Sequence, residues 1–168
     1  MTAKEAWAKV QSLEVASIVM AEDEGMTLFA FFRELPDPAL VVEVGTGYGR
    51  SAVLMSLTGK KVTTIDNYKD YQSPENPAFL RNELKDFDVE FVEGESIEVV
   101  KTFANEIIDF LFIDAAHKYE SVKKDIEVWL PKVEKGGMVC FHDYGSWKGV
   151  TQAVDEVMAS GLLQKIYQ

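Results

Sequence analysis

The sequence predicts an α/β fold built on a doubly wound, mostly parallel sheet. Three observations predict it. Short β-branched or aliphatic runs alternate with helix-like stretches from residue 40 onward, the pattern of β-α units in a parallel sheet. The first run, Val41-Val42-Glu43-Val44, leads into glycines at 45, 47 and 49 and then into a helix-forming stretch from Ser51. A polar residue follows the apolar run in each later unit: Asp66, Glu95, Asp114, and His142 with Asp143. In such sheets ligands bind beyond the carboxyl ends of the strands, at the switch point.

At 168 residues with 47% hydrophobic content, the chain is expected to form a single domain with its own core. A net charge of −11 argues against nucleic acid as the main partner, because phosphate binding wants a basic face. The single cysteine, Cys140, excludes an intramolecular disulfide. No apolar run reaches about 18 residues, so no transmembrane helix is expected. The first residues lack the apolar core of a signal peptide, and the chain reads as cytoplasmic.

Residues 3 to 34 read as two helical pieces. Ala6, Val10, Leu13, Ala16 and Ile18 form a loose stripe, Glu22-Asp23-Glu24-Gly25 is expected to break it, and Met26 to Leu35 resumes. Residues 1–36 would then form a helical cap over a core of 40–168, a contact in a homo-oligomer, or helix packed on the sheet edge. Strand one is expected at about 40–44 and its helix at 49–58, then strand two at Lys61 to Ile65, ending at Asp66. After a loop from Asn67, Ser73 can cap a helix with Pro74 in its first turn, running to about Asp86. Strand three follows at Val89 to Val92, the turn Gly94-Glu95-Ser96, and a short helix from Ile97 to Phe103. Strand four spans Ile108 to Ile113. Tyr119, Val122, Ile126, Trp129 and Val133 recur at helical spacing. Gly136-Gly137 leads into strand five, Met138 to Phe141. A helix from Val150 to Met158 comes next, and Leu162 to Tyr167 reads as a sixth strand.

The glycine loop reads G-x-G-x-G, with Arg50 where a dinucleotide loop has its third glycine. Glu43 would repel a pyrophosphate but could orient a cationic ligand. S-adenosylmethionine is such a ligand, with a sulfonium, an ammonium and no phosphate. Asp66 could accept hydrogen bonds from ribose hydroxyls. Glu95 and Ser96 are candidates for an adenine contact, Ser96 equally for a helix cap. Asp114, His142 and Asp143 could hold a hard divalent ion such as Mg²⁺, although the imidazole suits Mn²⁺, Fe²⁺ or Zn²⁺ at least as well. His117, three residues beyond Asp114, suits a general base.

The whole series resembles the class I S-adenosylmethionine-dependent methyltransferases, in the small-molecule and sugar O-methyltransferase subgroup (methyltransferase domain 24 type). The residues that carry the resemblance are Glu43 through Ser51, Asp66, Gly94-Glu95-Ser96, Ile113 through Asp125, and Gly136-Gly137 with His142-Asp143. The resemblance implies a Rossmann-like sheet, here lacking the final antiparallel strand, and methyl transfer to a hydroxyl oxygen of a small-molecule acceptor. It implies S-adenosylmethionine as cofactor, with Glu43, Gly45, Thr46, Gly47, Gly49, Asp66, Asn67, Glu95, Ser96 and Asp114 around it. It also implies a metal at Asp114, His142 and Asp143, and His117 with Asp114 in catalysis. Metal-dependent relatives place acids or an acid–amide pair where this chain has His142-Asp143. The competing expectations are a cofactor-binding module that is non-catalytic or partner-dependent, and an aminopropyltransferase-like enzyme.

Overall fold

The computed structural model describes residues 1–13, 20–69 and 77–164. Five strands, β1 (Val41–Val44), β2 (Val62–Asp66), β3 (Val89–Glu93), β4 (Ile108–Ile113) and β5 (Val133–Phe141), form one parallel sheet in the order β3-β2-β1-β4-β5. The chain steps outward from β1 to β3, then crosses back to β4 beside β1. The reversal leaves a crevice at the carboxyl ends of β1 and β4, the position where open α/β sheets bind ligands.

β1 is buried on both faces, as its valines require. On one side Val42, Val44 and Leu111 pack with Ile126, Trp129 and Val154, from helices α6 (Tyr119–Trp129) and α7 (Lys148–Ala159). On the other, Val41, Val62 and Phe110 meet Phe32 and Met55, from α2 (Glu22–Arg33) and α3 (Arg50–Ser56). Helix α1 (Ala3–Gln11) adds Ala6, Trp7 and Val10 to a third cluster with Val53 and Leu54. Thr2 and Glu5 form a capping box at its start. Helices α4 (Pro77–Glu83) and α5 (Ser96–Val99) are short.

Three boundaries differ from expectation. Glu22-Asp23-Glu24-Gly25 does not break a helix; it is the first turn of α2, where acidic side chains suit the positive end of the dipole and Glu24 Oε2 accepts from Ala21 N at 2.8 Å. Helix α6 stops at Trp129 rather than Val133, because Pro131 cannot donate to a continuing ladder, and Leu130–Lys132 tightens into a 3₁₀ turn. Gly136-Gly137 lies within β5 rather than before it, where pairing with β4 jumps from Ile108↔Val133 to Phe110↔Met138. A glycine pair inside a strand marks such an irregularity. Residues 162–164 are not a strand; the rest of that expected element, the Ser73–Pro74 helix start and the 14–19 part of the N-terminal stripe lie outside the described residues.

Candidate active site

The glycine loop and the end of β4 are in contact. Gly45 has φ +100°, and a Cβ there would lie 1.9 Å from the Asp114 carbonyl oxygen. Only glycine lets the two turns approach so closely. Gly49, also at positive φ, caps α3.

Three expected cofactor residues are engaged in building the loop. Glu43 is fully buried and accepts hydrogen bonds from Ser51 Oγ and from Thr64 Oγ1, the latter at 2.5 Å. Thr64 Oγ1 also lies 2.7 Å from Thr46 Oγ1. Burial raises the Glu43 carboxyl to about 8, against the pull of its two hydroxyl partners. Glu43 thus lies beneath the loop. Asp66 reaches back to the loop: its Oδ2 accepts from Thr46 N at 2.9 Å and Gly47 N at 3.1 Å, and its Oδ1 accepts from Tyr68 N at 2.8 Å. Ser96 Oγ donates to Asp125 at 2.6 Å and accepts from Trp129 Nε1 at 2.7 Å, so its hydroxyl joins α5 to α6. Next to it, Glu95 stays exposed, accepting from Asn67 Nδ2 at 3.1 Å and Lys69 Nζ at 2.5 Å.

The strand ends of β4 and β5 bring Asp114, His117, His142 and Asp143 together around one narrow cleft. His117 Nε2 is 2.8 Å from Asp143 Oδ2. The same oxygen is 3.1 Å from His142 Nδ1, which is 3.4 Å from Asp114 Oδ1. Burial raises Asp114 to about 6, with Asp143 adding to the effect and the two histidines opposing it. For His142, burial pushes the imidazole down, but the carboxylates of Asp114, Asp143 and Glu24 outweigh it and the net shift is upward.

A divalent ion fits these residues. Asp114, His117 and Asp143 each offer a donor atom, all within 4.8 Å of one another. Both ring nitrogens of His142 are buried with no hydrogen bond of proper direction, although Nδ1 is close to two carboxylates. The converging group differs from the expected Asp114, His142 and Asp143: among the described residues His117 stands in it where His142 was expected. Mixed nitrogen and oxygen donors suit Mn²⁺, Fe²⁺ or Zn²⁺ at least as well as Mg²⁺.

Sequence reasoning missed four contributors. Thr64 stands opposite Glu43 in the β1–β2 register; the signal was a Thr-Thr pair within an otherwise apolar strand. Ser51 was read only as the last residue of the motif that begins at Glu43; it lies in the first turn of α3, and its hydroxyl bond to Glu43 was not expected. Glu24, from the first turn of α2, reaches to 3.7 Å from His142 Nε2. Trp147 stacks on His117, ring centroids 4.5 Å apart and planes at 19°.

Comparison with known proteins bears on the family and the fold. A family model described as a methyltransferase domain matches residues 42–144. Uncharacterized protein R132 of Acanthamoeba polyphaga mimivirus is 29% identical over 139 residues, 73% of this chain and 61% of that protein. A protein of Mycobacterium sp. (strain JLS), named "Putative O-methyltransferase", is 29% identical over 121 residues, 68% of this chain and 53% of its own. The chain therefore spans less than two thirds of the curated relatives it matches. Among solved structures, an O-methyltransferase from Bacillus cereus in complex with SAH aligns with TM-score 0.64 at 17% identity, over 94% of this chain and 77% of that one. Precorrin-6y C5,15-methyltransferase from Geobacter metallireducens GS-15 aligns with TM-score 0.68 at 16% identity, over 88% and 78%. At these identities the likeness is one of fold.

Proposed function

The chain belongs to the class I S-adenosylmethionine-dependent methyltransferases, and on that premise we propose that it transfers a methyl group to a hydroxyl oxygen of a small-molecule acceptor, with His117 as general base. The observation that carries the reading is the His117–Asp143 pair, 2.8 Å apart at the mouth where the glycine loop meets Asp114. S-adenosylmethionine supplies the electrophilic methyl when bound. The Gly45–Gly49 loop receives it, with Thr46 and Gly47 held in place by Asp66. Asp66 retains acceptor capacity on Oδ1 for a ribose hydroxyl, and Asn67 and Glu95 border the same edge.

In this reading His117 Nε2 carries the proton and faces Asp143 Oδ2, 2.8 Å away, and Nδ1 is the free base nitrogen. Nδ1 takes the acceptor's hydroxyl proton as the oxygen attacks the methyl carbon; the O–CH₃ bond forms as S–CH₃ breaks. A base so placed contributes ~10²- to 10⁴-fold. A divalent cation held by Asp114, His142 and Asp143 would lower the pKa of the acceptor hydroxyl.

The test is calorimetric titration with S-adenosylmethionine and S-adenosylhomocysteine, with Mg²⁺ and then with EDTA, followed by an acceptor screen on hydroxylated small molecules. The expected result is micromolar binding that survives in His117→Ala while turnover drops. Failure to bind at millimolar cofactor would refute the reading.

A further inference from the structure

Trp147 is 52% exposed, the most exposed large aromatic among the described residues, yet its indole is fixed against His117. The reason lies in Asp143. This residue has φ +63°, a left-handed conformation that non-glycine residues seldom adopt. In that conformation it serves both partners. Its side chain reaches His117 Nε2 at 2.8 Å, and its carbonyl oxygen accepts from Ser146 N and Trp147 N, each at 3.0 Å. One residue therefore sets the imidazole and the indole relative to each other.

The backbones are locked as well. A Cβ on Gly149 would sit 2.3 Å from the His117 carbonyl oxygen and 2.6 Å from Tyr119 N, so the start of α7 lies directly on the His117 segment. On the far side of that contact, Tyr119 Oη donates to Glu156 Oε2 at 2.7 Å, tying α6 to α7. The stack is thus a feature of two joined elements rather than of a wandering surface side chain.

We infer that Trp147 is a positioning residue for His117: its stacked indole, anchored through the Asp143 carbonyl, prevents the imidazole from rotating off the Asp143 carboxylate and keeps Nδ1 directed to the cleft. An imidazole turned about its Cβ–Cγ bond would exchange ring nitrogens and carbons at the carboxylate. A single 2.8 Å contact at a ring that is 36% exposed does not forbid that turn; a parallel aromatic face at 4.5 Å restricts it. The inference rests on the His117 reading but is tested without turnover.

The chain has two histidines, so ¹⁵N-histidine labelling gives two spin systems, and His117→Gln identifies the one that matters. In EDTA-treated protein at pH 8, His117 should show a single tautomer, protonated at Nε2, with its ring protons shifted upfield by the indole. Trp147→Ala should lose the upfield shift and show averaged tautomers; Trp147→Phe should restore most of both. Unchanged His117 signals in Trp147→Ala would overturn the inference, as would a wild-type ring lacking the upfield shift. If the spectra behave as expected and His117→Ala still turns over, the clamp stands and the base assignment alone falls.

Discussion

Glu43→Gln should flatten the pH dependence of stability without unfolding the protein. Glu43 is fully buried, and burial lifts its carboxyl from 4.5 to about 8. Between those values the folded state holds a proton that the unfolded chain has released. Stability contributed by this proton is complete below pH 4.5 and is lost as pH rises through about 8. At ~1.4 kcal/mol per pH unit across that interval, the effect is about 5 kcal/mol. Glutamine is close to the protonated carboxyl in shape. Its carbonyl can accept from one of Ser51 and Thr64 while its amide donates to the other, since both hydroxyls rotate. The assay is urea denaturation of both proteins from pH 5 to pH 8. The difference between variant and wild type isolates Glu43, because Asp114, His142 and Asp125 are raised in both. The variant should gain on wild type by several kcal/mol across the range. A constant difference at every pH would refute the reasoning, and so would a variant that is weaker only at high pH.

Gly45→Ala, with φ +100° and a Cβ 1.9 Å from the Asp114 carbonyl, should cost about 3 kcal/mol or more and abolish cofactor binding, as read by thermal melts and calorimetry. Ser96→Ala strips a donor from buried Asp125 and an acceptor from Trp129 Nε1; a loss of about 1–3 kcal/mol is expected. Because Ser96 holds the Asp125 carboxyl down against burial, that loss should grow as pH rises above the ordinary aspartate range in denaturant titrations. Asp66→Ala removes the acceptor of Thr46 N and Gly47 N, and cofactor affinity measured by calorimetry should fall about tenfold to a hundredfold.

The fold was legible because each strand declares itself twice, by an apolar run and by the polar residue that ends it. Val41–Val44 and Ile108–Ile113 pair in the sheet's centre, where burial on both faces demands continuous apolar sequence. Boundaries were less legible where glycine had another use. Gly136-Gly137 reads locally as a turn, and only the β4 register shows it inside a strand. At the site, His117, His142, Asp114 and Asp143 were found from their positions after strands. Their partners were not, because those contacts are set by tertiary packing. Trp147 reaches His117 through a turn made by the left-handed Asp143, and Glu24 reaches His142 from a helix near the start of the chain. Glu43 was legible as a residue of the loop, while its hydroxyl partners came from the next strand and from the helix after the loop.

Asp143 Oδ2 is the atom on which the base and metal readings meet. It lies 2.8 Å from His117 Nε2 and 3.1 Å from His142 Nδ1. A metal ligand at ~2.1 Å from the ion sits ~3.0–3.4 Å from its neighbours in octahedral or tetrahedral arrangements, and the His142 distances of 3.1 and 3.4 Å match that spacing. The His117 contact is shorter, at 2.8 Å, although His117 belongs to the group whose donor atoms converge. If an ion takes His142, Asp114 and one Asp143 oxygen, the second Asp143 oxygen can still orient His117, and both functions coexist. If the ion takes His117, the base is lost. Isotopic shifts of the two histidines on titration with Mg²⁺ and with Zn²⁺ separate the cases: coexistence moves His142 and spares His117, whereas displacement moves both.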